Sequence, residues 1–232
     1  MAYERRIYRH RLWVRITHWV NLVCMTVLLM SGLQIFNAHP ALYWGDASRF
    51  GHSLLAIHFP AWATLPSEQW LAMGRRWHFF FAWLFVANGV LAAVLALAGG
   101  HFRRDLVPSR DDLHQVGHSI SAHIRLRFPK GEAAKRYNVL QKLAYVAVVC
   151  VLCPLIIAAG LAMSPRIDAG YPWLPEVFGG RQSARTVHFV CAFSLLAFAM
   201  VHVVMVVVSG VWNNMRSMIT GWYDIGEPHE KS

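Results

Sequence analysis

Four long stretches without a charged residue restrict the fold of this chain more than any other feature. They cover residues 16–36, 77–98, 143–163 and 187–208. Each is long enough to cross the hydrocarbon core of a bilayer, which takes about 20 helical residues. Because lipid offers the backbone no hydrogen-bond partners, segments of this length must be helical.

The composition indicates the same class of protein. Hydrophobic residues make up 56% of the 232 residues, with ten Trp and thirteen Phe, which is too apolar for a soluble domain of this size. We therefore predict an all-α integral membrane protein, a four-transmembrane-helix bundle that forms one domain over residues 1–232. The predicted spans cover residues 14–36, 76–99, 138–163 and 185–210.

The basic residues predict the orientation of the bundle. With four spans, both termini and the loop between spans two and three lie on one side of the membrane. Five Lys and Arg precede span one, nine lie between spans two and three, and two follow span four, against six on the other side. The positive-inside rule therefore makes both termini cytoplasmic. This topology also explains the net charge of +10 without a nucleic-acid partner.

Four histidines lie inside or at the ends of the apolar stretches, where ionisable side chains are costly and mark function. Two of them, His188 and His202, share span four and are fourteen residues apart. A helix separates them by about 21 Å along its axis and by about 40° around it, so they lie on one face. Two imidazoles on one helix face, at different depths, could each bind one of two haems placed one above the other across a membrane.

Depth in the membrane predicts which histidines pair. Consecutive spans run in opposite directions, so His18 and His202 both lie near the cytoplasmic side, and His78 and His188 both lie near the outer side. The two axial imidazoles of one haem must share a depth, since each brings a nitrogen to about 2 Å from the metal. We therefore predict that His18 and His202, here called the inner pair, hold one haem iron. His78 and His188, the outer pair, hold the other.

Two glycines fit this arrangement. Gly32 lies fourteen residues after His18 and is expected at the depth of the outer haem, and Gly89 lies eleven residues after His78 and is expected at the depth of the inner haem. Each would leave room for a porphyrin, although glycine is also common wherever membrane helices pack closely.

The connecting segments carry weaker patterns. The outer loop over residues 37–74 is rich in Trp and Pro and predicts short interfacial helices with a possible docking surface. The inner loop over 99–137 is basic with an amphipathic stretch, and residues 164–184 are rich in Pro and Gly and predict turns. Pro154 is expected to kink span three.

Five short motifs, in this order along four spans, resemble one family. They are Arg15-Ile-Thr-His18-Trp19, Trp77-His78, Tyr137-Asn138-Val139-Leu140-Gln141-Lys142, Arg185-Thr-Val-His188 and Met218-Ile-Thr-Gly221. The chain is similar over nearly its whole length to the bacterial di-haem cytochrome b (b-561-like) membrane subunits of nickel-iron hydrogenase, formate dehydrogenase and thiosulfate reductase.

The resemblance implies two haem b groups with bis-histidine ligation in a multi-pass protein of the bacterial inner membrane. It also implies electron exchange between the membrane quinone pool, ubiquinone or menaquinone, and a periplasmic redox subunit such as a molybdoenzyme or hydrogenase. In the family the quinone sits near the cytoplasmic haem beside the start of span three. Asn138, Gln141 and Lys142 match that position, although an ordinary polar membrane boundary would also explain them.

Several arginines are placed to pair with haem propionates if the resemblance holds. Arg11 and Arg15 precede or open span one, while Arg75, Arg76 and Arg185 lie on the outer side. The positive-inside bias explains the first two equally well, but it does not explain the outer three.

The sequence thus predicts a transmembrane electron-transfer cytochrome b, an electron-transfer subunit of an oxidoreductase. Whether it has quinone oxidoreductase activity of its own stays open. Three alternatives remain: a stand-alone quinone-linked oxidase of a small species such as superoxide, a structural membrane anchor of a redox complex, and a transporter. A transporter needs interrupted helices near the midplane, and Pro154 is the one interruption of that kind in the four spans.

Overall fold

The structure is a computed structural model that describes residues 6–48, 51–67, 70–99 and 139–225. In chain order the strands are β1 (Arg6–Tyr8), β2 (Ala41–Leu42), β3 (Leu55–Ala56) and β4 (Trp222–Asp224). The α-helices are α1 (Leu12–Asn37), α2 (Leu71–Ala98), α3 (Val139–Val146), α4 (Cys153–Ala162), α5 (Pro165–Gly170), α6 (Trp173–Val177), α7 (Arg181–Val208) and α8 (Val211–Thr220). A short 3-10 helix covers Ala61–Ala63, and a π-helix covers Ala147–Leu152.

Four helical segments of the described chain are long and apolar enough to cross a membrane: Leu12–Asn37, Leu71–Ala98, Lys142–Ala162 and Arg181–Val208. The predicted four-span helical fold is therefore confirmed. Large apolar side chains on these helices are widely exposed, for example Trp83 at 67% and Val201 at 62%. An exposed apolar surface of this extent is expected where lipid replaces water. Helix α2 begins at Leu71, before residue 76, and α7 begins at Arg181, before residue 185.

Span three is not a uniform α-helix. The helix α3 passes through the π-helix Ala147–Leu152 before α4 begins at Cys153. Pro154 has no N–H and cannot bond the carbonyl four residues earlier, so the preceding turn is free to widen. A π-helical turn therefore precedes Pro154, a feature that is frequent at functional sites, and the expected kink stays a prediction.

Two of the connecting segments differ from their sequence prediction. In the loop over 37–74, the described residues form the antiparallel pair β2–β3 and one 3-10 turn in place of interfacial helices. The prolines of this loop explain the difference, since each removes a donor that a helix would need. Conversely, residues 164–184 contain the helices α5 and α6, because Pro165 fits the first turn of a helix. The amphipathic stretch of the inner loop lies outside the described residues.

The chain divides into two compact units. The first unit comprises Met1–His18, Leu91–Cys150 and Phe198–Ser232, and the second comprises Trp19–Val90 and Val151–Ala197. The single domain predicted over residues 1–232 stays a prediction.

In the first unit the two ends of the chain are joined. Strand β1 pairs antiparallel with β4, with Ile7 opposite Tyr223. The carbonyl of Gly221 accepts bonds from the backbone N–H groups of Arg9 at 2.8 Å and His10 at 3.4 Å. These contacts hold the C-terminal segment after α8 against the start of α1.

In the second unit the loop after α1 is attached to the first turns of α7. Thr186 donates from its hydroxyl to the carbonyl of Tyr43 at 2.7 Å, and the backbone N–H of Gly45 donates to the hydroxyl of Ser183 at 2.8 Å. The carbonyl of Gly45 accepts from the N–H groups of Gln182 and Ser183 at 2.9 and 3.1 Å. These bonds satisfy donors at the start of α7 that a helix leaves unpaired, and they hold the turns just before His188.

Candidate functional site

The inner pair lies within the first unit. His18 on α1 and His202 on α7 face each other with ring centroids 6.2 Å apart and ring planes at 73°. One turn before His202, the ring of Phe198 stacks on its imidazole at 6.1 Å and 20°. Tyr145 of α3 packs edge-on against Phe198 at 6.3 Å. The third span therefore supports the orientation of the His202 ring through this aromatic stack.

The outer pair lies within the second unit and repeats the same geometry. His78 on α2 and His188 on α7 have ring centroids 6.2 Å apart and ring planes at 60°. The structure thus brings together the same two pairs that membrane depth predicts.

The spacing of both pairs fits an iron atom between the rings. Two metal–nitrogen bonds of about 2 Å, each with about 1.2 Å from the nitrogen to its ring centre, place the centroids about 6.4 Å apart. The observed 6.2 Å is close to this distance in both pairs. No group of three or more His, Cys, Asp or Glu that could hold a metal occurs in the described part of the chain. Each pair offers two imidazole nitrogens at this spacing.

The outer histidines each have a hydrogen-bond partner at Nδ1. His188 lies with Nδ1 at 2.8 Å from the carbonyl oxygen of Ile156 on α4, which can only accept, so Nδ1–H is the donor. His78 lies with Nδ1 at 3.1 Å from the hydroxyl of Ser31 on α1. In both rings this leaves Nε2 as the nitrogen with a free lone pair. Such a bond at the second nitrogen is the usual support of a metal-binding histidine.

Two glycines give the outer imidazoles room. A Cβ added to Gly32 would lie 3.3 Å from Cε1 of His78, and one added to Gly160 would lie 3.2 Å from Cε1 of His188. Gly32 therefore lies at the depth expected from the sequence, but the group that it faces is the histidine ring. Gly89 is exposed, and a Cβ there would meet no atom of the described residues within 4 Å, so its place beside the inner haem stays a prediction.

The predicted propionate partners have different surroundings. Arg185 donates to the carbonyls of Ala41 at 3.0 Å and of His39, and its guanidinium lies over the ring of Phe36 at 5.2 Å. Part of its donor capacity is therefore used to hold the outer loop. Arg75 is exposed, with its guanidinium 5.6 Å from the ring centre of Phe79, and Arg76 is exposed beside it.

Arg15 lies one turn before His18 and donates to the carbonyl of Ile219 at the end of α8. Its Nε is buried without a hydrogen-bond partner. A buried donor without a partner is costly, so this atom fits an additional acceptor such as a propionate. Arg11 is exposed, with a terminal nitrogen 3.3 Å from where a Cβ on Gly99 would lie.

The predicted quinone residues are only partly described. Asn138 lies outside the described residues, and of Gln141 only the backbone is described, within α3. Lys142 is partly buried on the same helix.

Sequence reasoning missed Ser31, Gly160 and the carbonyl of Ile156. A signal for two of them was present, since a small residue in a membrane helix at the depth of His78 or His188 leaves room for an imidazole. The carbonyl of Ile156 has no such signal, because every residue has one.

The sequence is similar to known proteins over most of its length. Residues 9–221 match the family described as prokaryotic cytochrome b561. The putative protein-methionine-sulfoxide reductase subunit YedZ1 of Azospira oryzae is 28% identical over 212 residues, which cover 91% of this chain and 96% of that protein.

Proposed function

The chain belongs to the prokaryotic cytochrome b561 family, and from that premise we propose that it carries electrons between membrane quinol and an outer redox subunit through two bis-histidine haem sites. Family membership and the four apolar helices make it a multi-pass bacterial membrane protein and a transmembrane electron-transfer cytochrome. The number of haems, their ligands and the two electron-exchange partners are the proposal.

The two histidine pairs are the proposed ligands. Haem b supplies one-electron chemistry when it is bound. The protein would provide the two imidazoles of each pair as ligands, a low-dielectric surrounding and a spacing along α7 of fourteen residues, about 21 Å of helix. The observation that carries the proposal is the ring-centroid distance of 6.2 Å in both pairs, since two independent sites share a spacing that fits an intervening metal.

The outer partner is proposed from the similar protein of Azospira oryzae. That protein is named as a subunit of a protein-methionine-sulfoxide reductase, which needs electrons. We infer that this chain also passes electrons from quinol outward to a reductase subunit, and that oxidised methionine in proteins is the class of substrate which that subunit reduces. The sixteen basic residues on the side of the termini support placing this subunit on the opposite face.

The quinone site is proposed at the start of the third span. Asn138 and Gln141 are three residues apart in the sequence, a spacing that would bring them to one face if the helix included both. An amide can donate to a quinone carbonyl, and the ammonium of Lys142 can stabilise negative charge that develops there. All three residues precede the apolar part of the span, on the side that carries most of the basic residues.

Haem stoichiometry and histidine variants test the haem proposal. The purified protein should contain two haems b per chain, with low-spin spectra in both oxidation states. His188→Ala should retain one haem and lose the other, while His58→Ala should keep both, because His58 is exposed and belongs to neither pair. One haem in the wild type, or two in His188→Ala, would overturn the assignment of the pairs.

Quinol kinetics test the quinone site separately. Asn138→Leu and Gln141→Leu should slow haem reduction by quinol and leave both haem spectra intact. Loss of one hydrogen bond of about 1–3 kcal/mol corresponds to roughly a five- to 150-fold effect. Wild-type kinetics in both variants, with both haems present, would place quinol oxidation elsewhere on the protein.

A further inference from the structure

Ser31 is a fully buried hydroxyl beside one imidazole of the outer pair. Its exposed fraction is 0%, and its oxygen lies 3.1 Å from Nδ1 of His78. It precedes Gly32, the residue whose missing Cβ lets the same ring approach α1. Two neighbouring positions of α1 therefore contact one histidine of α2.

The direction of this hydrogen bond follows from the proton of the hydroxyl. Ser31 lies 2.6 Å from the carbonyl oxygen of Val27 and 3.3 Å from that of Leu28, and both can only accept. A hydroxyl has one proton to donate, and the short contact to Val27 uses it. The oxygen must then accept from His78, so Nδ1 of His78 carries the proton and Nε2 carries the free lone pair.

We propose that Ser31 is a positioning residue that holds His78 in this tautomer and lowers the reduction potential of the haem at the outer pair. The inference rests on the proposed ligation by His78. An acceptor at Nδ1–H makes the imidazole a more basic ligand. A more basic ligand favours the ferric over the ferrous iron and so lowers the potential.

The two imidazoles of the outer pair differ in how this support can be changed. His188 has a backbone carbonyl, that of Ile156, as its acceptor, and no side-chain substitution removes it. His78 is supported by the backbone carbonyl of Leu28 and by the Ser31 hydroxyl, and a single substitution removes the hydroxyl. Ser31 is therefore a position at which the support of His78 can be weakened without touching either ligand.

Ser31→Ala should raise the reduction potential of the outer haem and leave the inner haem unchanged. Loss of an outer-shell partner of a metal-binding histidine changes metal affinity by about 10- to 100-fold. A tenfold change in the ratio of ferric to ferrous affinity corresponds to a shift of about 59 mV for one electron. The measurement is an optical redox titration of the purified protein with both haems bound.

Two further variants separate this effect from packing. Ser31→Thr keeps the hydroxyl and should return the potential to the wild-type value. Ser194→Ala removes a hydroxyl that donates to the carbonyl of Val190 on an exposed part of α7, and it should shift neither haem. A role in packing alone would lower the stability or the haem content of Ser31→Ala and leave the potential of the retained haem as in the wild type.

The outcomes distinguish this inference from the proposed function. If His78→Ala loses one haem but Ser31→Ala leaves both potentials unchanged, the role of Ser31 is wrong and the haem ligation stands. If His78→Ala keeps both haems, the ligation itself is wrong. Should Ser31→Ala not retain its outer haem, Ser31→Cys preserves the volume with a weaker acceptor, and an unshifted potential in that variant overturns the inference.

Discussion

Replacing Gly160 by alanine tests the outer pair from the side of the third span. A Cβ at this position would lie 3.2 Å from Cε1 and 3.3 Å from Nδ1 of His188. Ordinary contacts between such atoms begin near 3.5 Å, so the ring must withdraw by a few tenths of an ångström. The bond from Nδ1–H to Ile156, now 2.8 Å, would then approach the upper limit of about 3.2 Å for a good hydrogen bond.

The cost of this crowding can be estimated. Adding a methyl group to a well-packed site costs about 1–3 kcal/mol, which corresponds to roughly a five- to 150-fold weaker hold on the haem at the outer pair. Alanine is also favoured over glycine within a helix by up to about 1 kcal/mol, which acts in the opposite direction on the stability of the helix. The helix is formed with and without haem, so its gain in stability does not offset the crowding at His188. The net effect of Gly160→Ala is therefore weaker haem binding.

The assay is the rate of haem transfer from the purified protein to excess apomyoglobin. Gly160→Ala should release one of its two haems faster by the estimated factor and the other at the wild-type rate. The control is Gly170→Ala, whose added Cβ would meet nothing within 4 Å among the described residues. It adds the same methyl group to a helix, α5, without the crowding, so it should release both haems at the wild-type rate.

Equal release from Gly160→Ala and the wild type would refute the reasoning. It would mean that the His188 ring does not contact the third span in the haem-loaded protein. Faster release from Gly170→Ala as well would show that any added methyl group in a helix disturbs haem binding, and the argument from local contact distances would then fail.

Three other predictions concern stability and topology. Gly180→Ala should lower the thermal unfolding temperature, because the φ of Gly180 is +113° and an added Cβ would overlap Asp46 and Gly45. The control Gly170→Ala has open space around its added Cβ and should leave the unfolding temperature unchanged. Asn88→Leu should destabilise the protein by about 0.6 to 1.7 kcal/mol through loss of its 2.7 Å bond to Asn21; a double-mutant cycle with Asn21→Leu that shows no coupling would contradict this. A C-terminal reporter that is active only in the cytoplasm should be active, and one that requires export should stay silent; the reverse would invert the predicted orientation.

The spans were predictable because the membrane makes them a local property of the chain. A segment of about 20 apolar residues is helical in lipid whatever its neighbours are, and four such helices lie within the described ranges of the chain. The loops were less predictable. Residues 37–74 were expected to form interfacial helices, but β2 and β3 pair there instead, because a strand is stabilised by a partner that the local pattern does not reveal.

The histidine pairs were predictable for a related reason. The rise of a helix converts sequence position into depth, and alternating spans then bring His18 to the depth of His202 and His78 to that of His188. The surroundings of the rings were not predictable in this way. Ser31 and Gly160 contact His78 and His188 from other helices, and sequence position does not say which helices are neighbours at a given depth.

The sequence by itself thus determined the number of spans, the depth of each histidine and the pairing that depth allows. All three follow from local helix geometry and from the lipid bilayer, which leaves no backbone group without a hydrogen-bond partner. Only the tertiary structure decided which side chains and carbonyls stand beside each imidazole. The lateral packing of helices in a membrane depends on close contacts between small residues and on bonds between distant segments. The hydroxyl of Ser31 at His78 and the carbonyl of Ile156 at His188 are such bonds.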